Sequence, residues 1–347
     1  MKKEVKQVLQ FIIFLALGLL LLWVAFRNVR FRELAEGLKS ANYLFVLLSV
    51  AFSIFAYLSR ARRWNLLIHP LGYKPSFMNT FNALMTGYFA NLALPRIGEI
   101  TRCVALGKKE DIPADKLIGT VVVERAVDMM ALLIIMTVMI FTSGDRIRQF
   151  LKETIFIPVK EQILIPAGQT WLIWSLVLLI LAVLLWLVVR YRKRLGKIPL
   201  VSEIFKLSKG IITGLKSITR LEKKWEFLFH TVFMWICYIF MTWVVVFAID
   251  NTSHLGFRDA IFLLVIGGFA MVVPVPAGMG AFHYIISRGL AFVQGVNLED
   301  GALYAILTHE SQVIMVIIVG IVSSYMIFRK DKGKEAAEKS ADSASAK

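Results

Sequence analysis

An all-α polytopic membrane protein is the fold class this sequence predicts, and three observations predict it. The 347-residue chain is 58% hydrophobic with a mean hydropathy of +0.68, far above a soluble domain. Long uncharged runs at Val8–Phe26, Trp171–Val189, Phe227–Ile249 and Tyr304–Phe328 approach the ~20 residues a helix needs to cross ~30 Å of hydrocarbon. Two further apolar stretches, Phe77–Leu94 and Ala260–Val293, are interrupted by proline and glycine. That is the pattern of helices that stop and turn inside a bilayer.

The elements follow in order. Met1–Gln7 is basic and leads into Val8–Phe26, but the apolar run exceeds a signal core. Arg27-Asn-Val-Arg30 follows it without a small-residue cleavage site, so it is expected to be an uncleaved first helix. Tyr43–Ser59 is short yet flanked by polar residues and is read as a span. Phe77–Leu94 ends at Pro95. Leu117–Phe141 is long enough to cross but carries Glu124, Arg125 and Asp128 near its start. After the spans Trp171–Val189 and Phe227–Ile249, Ala260–Val293 breaks at Pro274-Val-Pro-Ala-Gly-Met-Gly280. The two pieces, of about 14 residues each, are too short to span upright. Tyr304–Phe328 is the last span, broken only by His309 and Glu310.

Basic residues orient the chain. Arg190–Lys224 holds eleven Lys or Arg against two acids, and Arg329–Lys347 holds six, so both are expected on the cytoplasmic side. The Asp250–Asp259 connection belongs outside, which requires Ala260–Val293 to return to the side it left. If Phe77–Leu94 is likewise re-entrant, the N-terminus is cytoplasmic; full crossing would place it outside, and both arrangements satisfy the charge rule. In the re-entrant arrangement, residues 1–143 and 171–328 each read span, span, broken hairpin, span, with the second half inverted relative to the first. The expectation is about six full transmembrane helices plus two broken re-entrant hairpins in one transmembrane domain, 1–328. A disordered basic cytoplasmic tail, 329–347, follows. The chain is placed in the plasma or inner membrane as a multi-pass protein.

The net charge of +16 sits in membrane-flanking loops, where topology and anionic lipid explain it, so nucleic acid is not expected as a partner. Two distant cysteines, Cys103 and Cys237, supply no disulfide framework, metal site or redox motif, and no cofactor is expected. Phosphate-loop, Gly-x-Ser-x-Gly, His-Glu-x-x-His and Cys-x-x-Cys patterns are absent, so the chain is not expected to be an enzyme.

Chemistry concentrates in Asn91-Leu-Ala-Leu-Pro-Arg-Ile-Gly-Glu-Ile-Thr-Arg102, directly after an uncharged run. A charge at membrane depth costs roughly 3 kcal/mol on insertion scales and so usually faces a cavity. Arg96 and Arg102 suit bidentate phosphate contacts, with snorkelling to the interface as the competing reading. Gly98 would admit close backbone approach, and the N–H groups of a half-helix start would add positive potential. Glu99, flanked by both arginines, either pairs with them or meets substrate. Glu124 and Asp128, four apart, share a helix face, and Arg125 can reach Asp128 at i+3. The pair is open to a cationic headgroup, a proton or sodium, or to a self-neutralising cluster at the helix end. Gly278 and Gly280 mark the second break, and His283 just beyond could cap or line it. His309 and Glu310, about two turns into the last run, are read as a proton or substrate pair or as interhelical hydrogen bonds. Arg60, Arg62 and Arg63 are read mainly as a positive-inside cluster.

The Asn91–Arg102 segment followed by Val122-Val-Glu-Arg-Ala-Val-Asp128 resembles the lysylphosphatidylglycerol synthase transmembrane region. That is the flippase-like part of the multiple peptide resistance factor, also found as stand-alone membrane proteins. Arg60-Ala-Arg-Arg-Trp-Asn-Leu-Leu67 and Pro274–Gly280 resemble two further blocks of the family, and the resemblance covers roughly residues 10–328. Where the family often has Pro-Gly-Arg-x-Gly-Glu, here Pro95 meets Arg96 directly; where its second block commonly continues to Glu, this chain has His283. The resemblance implies translocation of a phospholipid or lipid-linked substrate, not aminoacylation, for which the short polar tail offers no catalytic domain. Rival expectations are a proton- or sodium-coupled carrier of a small solute, and a non-transporting scaffold for a lipid-modifying enzyme. A second copy of the chain or a lipid-synthesising enzyme are the protein partners considered.

Overall fold

The computed structural model describes residues 3–142 and 221–329. The expected span Trp171–Val189, most of the basic segment Arg190–Lys224 and the tail beyond Arg329 lie outside the described residues. Within them the chain is helical, with ten α-helices and no strand.

The first helix, α1 (Lys3–Phe26), is followed after an 89° bend by α2 (Phe31–Ser40). The sequence reading did not anticipate α2. It is amphipathic, burying Leu34 while Arg32 and Glu36 pair on its exposed face. Asn42 caps α3 (Tyr43–Ile68) by accepting from the Leu44 N–H. One face of α3 carries Ser49, Ser53, Ala56 and Ser59, all buried. Small side chains there let α7 (Lys224–Val244) pack along its length, as in other membrane helix pairs. α3, α7 and the last helix, α10 (Leu298–Phe328), are each long and apolar enough to cross a bilayer. α6 (Ala114–Thr142) has 29 residues, about 43 Å of helix at 1.5 Å per residue.

Between these lie two helical hairpins. α4 (Phe77–Ala93) and α5 (Gly98–Glu110) pack against each other across the break at Leu94–Ile97. The hairpin is closed at its base by Glu110 Oε1, which accepts from Ser76 N at 2.9 Å and Asn79 Nδ2 at 2.7 Å. Phe77–Leu94 therefore turns back through α5 as a helical hairpin, the arrangement expected of a re-entrant segment. α8 (Phe257–Ala270) and α9 (Ala281–Gln294) form the second hairpin around Met271–Gly280. Fourteen residues span about 21 Å, so neither arm can cross the ~30 Å hydrocarbon alone.

Contacts sort the helix ends into two groups. Asn42 N donates to Ala248 O, Arg30 bonds Glu299 and Asn251 bonds Asp300, so these lie at one end. Arg62 pairs with Glu226 and Lys109 Nζ donates to Arg329 O at the other. The α4–α5 hairpin has its base at the Arg62 end and the α8–α9 hairpin at the Asn42 end. Two apolar clusters follow the same division. One, at the Asn42 end, includes Val245, Leu255, Leu290 and Leu303; the other, at the Arg62 end, includes Trp64, Ile68, Leu106 and Leu117.

Candidate functional site

The two hairpins meet at their tips, where Arg96 Nη2 donates to the Val272 carbonyl at 3.1 Å. Both turns contain a non-glycine residue at positive φ, Arg96 at 65° and Ala277 at 53°. That left-handed conformation costs a residue with a Cβ about 1–2 kcal/mol, which the surrounding packing must offset. Gly278 and Gly280 also have positive φ, and a Cβ on Gly280 would meet the Gly18 carbonyl of α1 at 2.7 Å. Their part in the structure is the shape of the turn. Gly98 likewise serves a close approach, but between helices: a Cβ there would strike the Gly87 carbonyl and lie 2.6 Å from Asn91 Nδ2. Its N–H is taken by Asn91 Oδ1 at 2.7 Å instead of being free at the start of α5.

Behind the first hairpin, α3, α5 and α6 bury a network of charges. Glu124 is 0% exposed and accepts from Arg60, Nη2 lying 2.6 Å from Oε1. Its Oε2 lies 3.1 Å from Arg102 Nη2, and Arg63 approaches at 3.7 Å. Asp128 accepts from Arg60 at 3.1 Å and forms an ion pair with Arg63 at 2.6 Å. Tyr88 Oη bonds Arg60 Nη1 at 2.7 Å. The Arg102 guanidinium lies 4.5 Å above the Trp64 ring, whose Nε1 donates to Thr120 Oγ1 at 2.8 Å. Counting back along the helices, Arg60, Arg102 and Glu124 lie about 12–15 Å from the Arg62 end, well inside the bundle.

Three expectations change here. Arg60 and Arg63 do more than mark a positive side: both are buried and paired with Glu124 and Asp128, while part-exposed Arg62 pairs with Glu226 at 2.6 Å. The i+3 pairing of Arg125 with Asp128 does not form, because Asp128 is held by α3 and Arg125 turns towards Glu99 at 3.4 Å. Glu99 is not paired with Arg96 or Arg102, since Arg96 points to the second hairpin and Arg102 to Glu124. Arg60 and Arg63 are the site residues that the sequence reading undervalued. Their signal is that, at i+4 and i+7 from Ala56, they continue the face of α3 carrying Ser53 and Ala56.

Tyr88, Asn91, Glu99, Arg102 and Arg125 line a small pocket with Gly87 and Gly98 at its floor. Arg102 Nε and Nη1 are buried without a hydrogen-bond partner among the described residues, as is Glu99 Oε2. An unpaired buried polar atom is costly, so the Arg102 nitrogens are poised for a ligand's acceptor and Glu99 Oε2 for a donor. The Glu99 and Arg125 side chains remain 32% and 43% exposed. Around the pocket and network, four guanidiniums (Arg60, Arg63, Arg102, Arg125) face three carboxylates (Glu99, Glu124, Asp128), leaving one positive charge in excess.

A second polar group lies at the second hairpin. His283 (α9) is not isolated: its Nε2 lies 3.4 Å from Glu310 Oε1, and that oxygen is also 2.9 Å from His309 Nδ1. His309 Nε2 reaches the Ala277 carbonyl at 2.8 Å. Because α10 begins at Leu298, His309 is three turns in, deeper than its run of apolar residues suggested, at about 17 Å from the helix start. His309 and Glu310 thus act on one another and on α9, and do not diverge to separate surroundings.

Residues 8–320 match the family described as lysylphosphatidylglycerol synthase TM region. A UPF0104 membrane protein of Methanocaldococcus jannaschii is 33% identical over 99 residues, 28% of this chain and 30% of that protein. The alignment therefore spans less than a third of that relative's own length. No solved structure matches the chain.

Proposed function

Because this chain belongs to the lysylphosphatidylglycerol synthase TM region family, a family of membrane domains, we propose that it moves a phospholipid or lipid-linked headgroup between leaflets. The observation that carries the reading is the meeting of two broken hairpins, based at opposite ends of the bundle, through Arg96 and Val272. Among the described residues the hairpin tips meet between the two ends of the bundle, so a headgroup passing there would meet polar groups and not a continuous apolar slab. Paired broken helices at mid-depth are the arrangement transporters use for polar substrates.

The chemistry of the pocket supports the same reading. Arg102 and Arg125 bind the phosphodiester, whose single negative charge matches the one positive charge in excess. Glu99 takes an amine where the headgroup has one. Glu124 and Asp128 serve by holding Arg60, Arg63 and Arg102 in place, and their carboxylates are occupied in doing so. Arg96 is the gate between the two hairpins. Glu99 and Arg125, partly exposed about 17 Å along their helices, suit a headgroup that slides while its acyl chains stay in lipid.

The test is exchange of headgroup-labelled lipids across proteoliposomes holding the purified protein, beside Arg125→Gln. The native chain should accelerate exchange above empty vesicles, and Arg125→Gln should slow it at least tenfold while remaining folded. Absence of exchange across anionic, zwitterionic and aminoacylated lipids would overturn the proposal, as would undiminished exchange by the variant.

A further inference from the structure

At the second hairpin, His309 poses a problem of hydrogen-bond polarity. The Ala277 carbonyl can only accept, so the Nε2 lying 2.8 Å from it carries the hydrogen. In a neutral ring Nδ1 then bears a lone pair, and it points at Glu310 Oε1 from 2.9 Å. Two lone pairs at that distance repel, so something positive must sit between them. His283 Nε2 converges on the same oxygen at 3.4 Å. The ligand atoms of all three residues lie within 4.8 Å of one another, and both imidazoles are buried.

From this convergence we infer that His283, His309 and Glu310 form a binding site for a divalent zinc-type cation. Zinc takes imidazole nitrogen and carboxylate oxygen at about 2.0–2.2 Å, and a tetrahedron of that bond length has edges of about 3.3 Å. The observed separations of 2.9 Å and 3.4 Å bracket that edge. His309 carries the outer-shell bond expected of a ligating histidine, its other ring N–H going to a backbone carbonyl, which fixes the tautomer and aims Nδ1. That carbonyl belongs to Ala277, held at φ 53°, so the strained turn of the hairpin is what presents it. Two histidines and one glutamate leave a fourth position for a solvent or anionic oxygen, and the Glu310 side chain, 44% exposed, marks the open side. The sequence hides the set, because His283 lies in α9 and the other two in α10, without metal-motif spacing.

The site stands independently of lipid translocation and is tested by binding. Full-length protein in detergent, stripped with a chelator, is titrated with Zn²⁺ by calorimetry and with Co²⁺ by visible absorption. The expected result is one Zn²⁺ per chain and a strong tetrahedral Co²⁺ band. His283→Gln and Glu310→Gln should each weaken binding at least tenfold and abolish the band, while His254→Gln, in an exposed loop, leaves both unchanged. Should buried His283→Gln fail to fold, Glu310→Gln decides alone. The inference is overturned if the folded native chain shows no saturable Zn²⁺ binding, which would leave a proton between His309 and Glu310. It is equally overturned if binding survives either substitution.

Discussion

Replacing Glu124 by Gln should be among the most damaging single changes in the chain. The side chain has 0% exposure and is approached by Arg60 at 2.6 Å, Arg102 at 3.1 Å and Arg63 at 3.7 Å. Gln keeps the shape but removes the charge, so three buried guanidiniums would face Asp128 alone. Breaking a buried ion pair by removing one partner costs about 3–5 kcal/mol, because the charges left behind are neither solvated nor paired. That is a large share of the roughly 5–15 kcal/mol by which folded proteins are stable. The assay is unfolding of the purified protein in mild detergent, followed by tryptophan fluorescence, since Trp64 lies directly under Arg102. A second variant makes the argument specific. Adding Arg102→Met removes one surplus guanidinium with little change in volume, so the double variant should recover at least about 1 kcal/mol of the loss, a coupling within the usual range for contacting groups. A Glu124→Gln cost below about 1 kcal/mol, or strict additivity in the double variant, would refute the view that the network balances its own charge.

Two further changes separate shape from chemistry. Gly98→Ala would drive a Cβ into the Gly87 carbonyl and Asn91, prying α4 from α5, and overpacking of this kind costs about 1–3 kcal/mol; circular dichroism melts should show the loss, and lipid exchange should fall with it. Arg96→Gly relieves the left-handed backbone at φ 65° while deleting the contact to Val272. Stability should hold or rise by up to about 1 kcal/mol, yet exchange should change, so a variant that melts like the native chain and transports like it would remove Arg96 from the mechanism.

The spans α3, α7 and α10 were legible because a run of about 20 apolar residues has few alternatives in any fold, while the expected span Trp171–Val189 lies outside the described residues. The breaks of both hairpins were legible because proline and glycine fall just beyond the ends of α4 and α8, but for Phe77–Leu94 sequence left crossing and re-entry open. α2 was not, since the ten residues Phe31–Ser40 are mostly polar and a hydropathy reading passes over a helix that buries only Leu34. The start of α10 was misplaced for a related reason. Glu299 and Asp300 look like loop residues, yet they occupy the first turn, where acids favour the helix dipole and Asn297 Oδ1 accepts from Asp300 N at 2.7 Å. For the site, sequence identified which helices carry charge but not whom each charge faces. Arg60 and Arg63 count as basic residues near a helix end in any tally of topology, and only the rotation of α3 against α6 turns them inward. The rendezvous of His283 with Glu310 depends on how α9 packs on α10, a fact with no local signature.

The polar side chains singled out on chemical grounds also answer a requirement of the fold itself. Breaking a helix inside a membrane strands backbone groups that water cannot reach, and each must find a partner. Asn91 takes the Gly98 N–H, Arg96 takes the Val272 carbonyl and His309 takes that of Ala277. All three partners belong to the proposed sites, Asn91 lining the headgroup pocket, Arg96 standing at the gate and His309 in the cation site. A phosphate reaching Arg96 would compete with the Val272 carbonyl for the guanidinium, and a cation bound at His309 would stiffen the turn that presents Ala277. Either ligand would therefore act on the hairpin tips through hydrogen bonds that already hold them. Opening then exchanges one acceptor for another at Arg96, a smaller cost than baring an unpaired group to hydrocarbon. On the proposed function this is a physical reason for placing charged residues at the breaks: they would hold the tips closed and offer an incoming ligand a bond equivalent to the one it displaces.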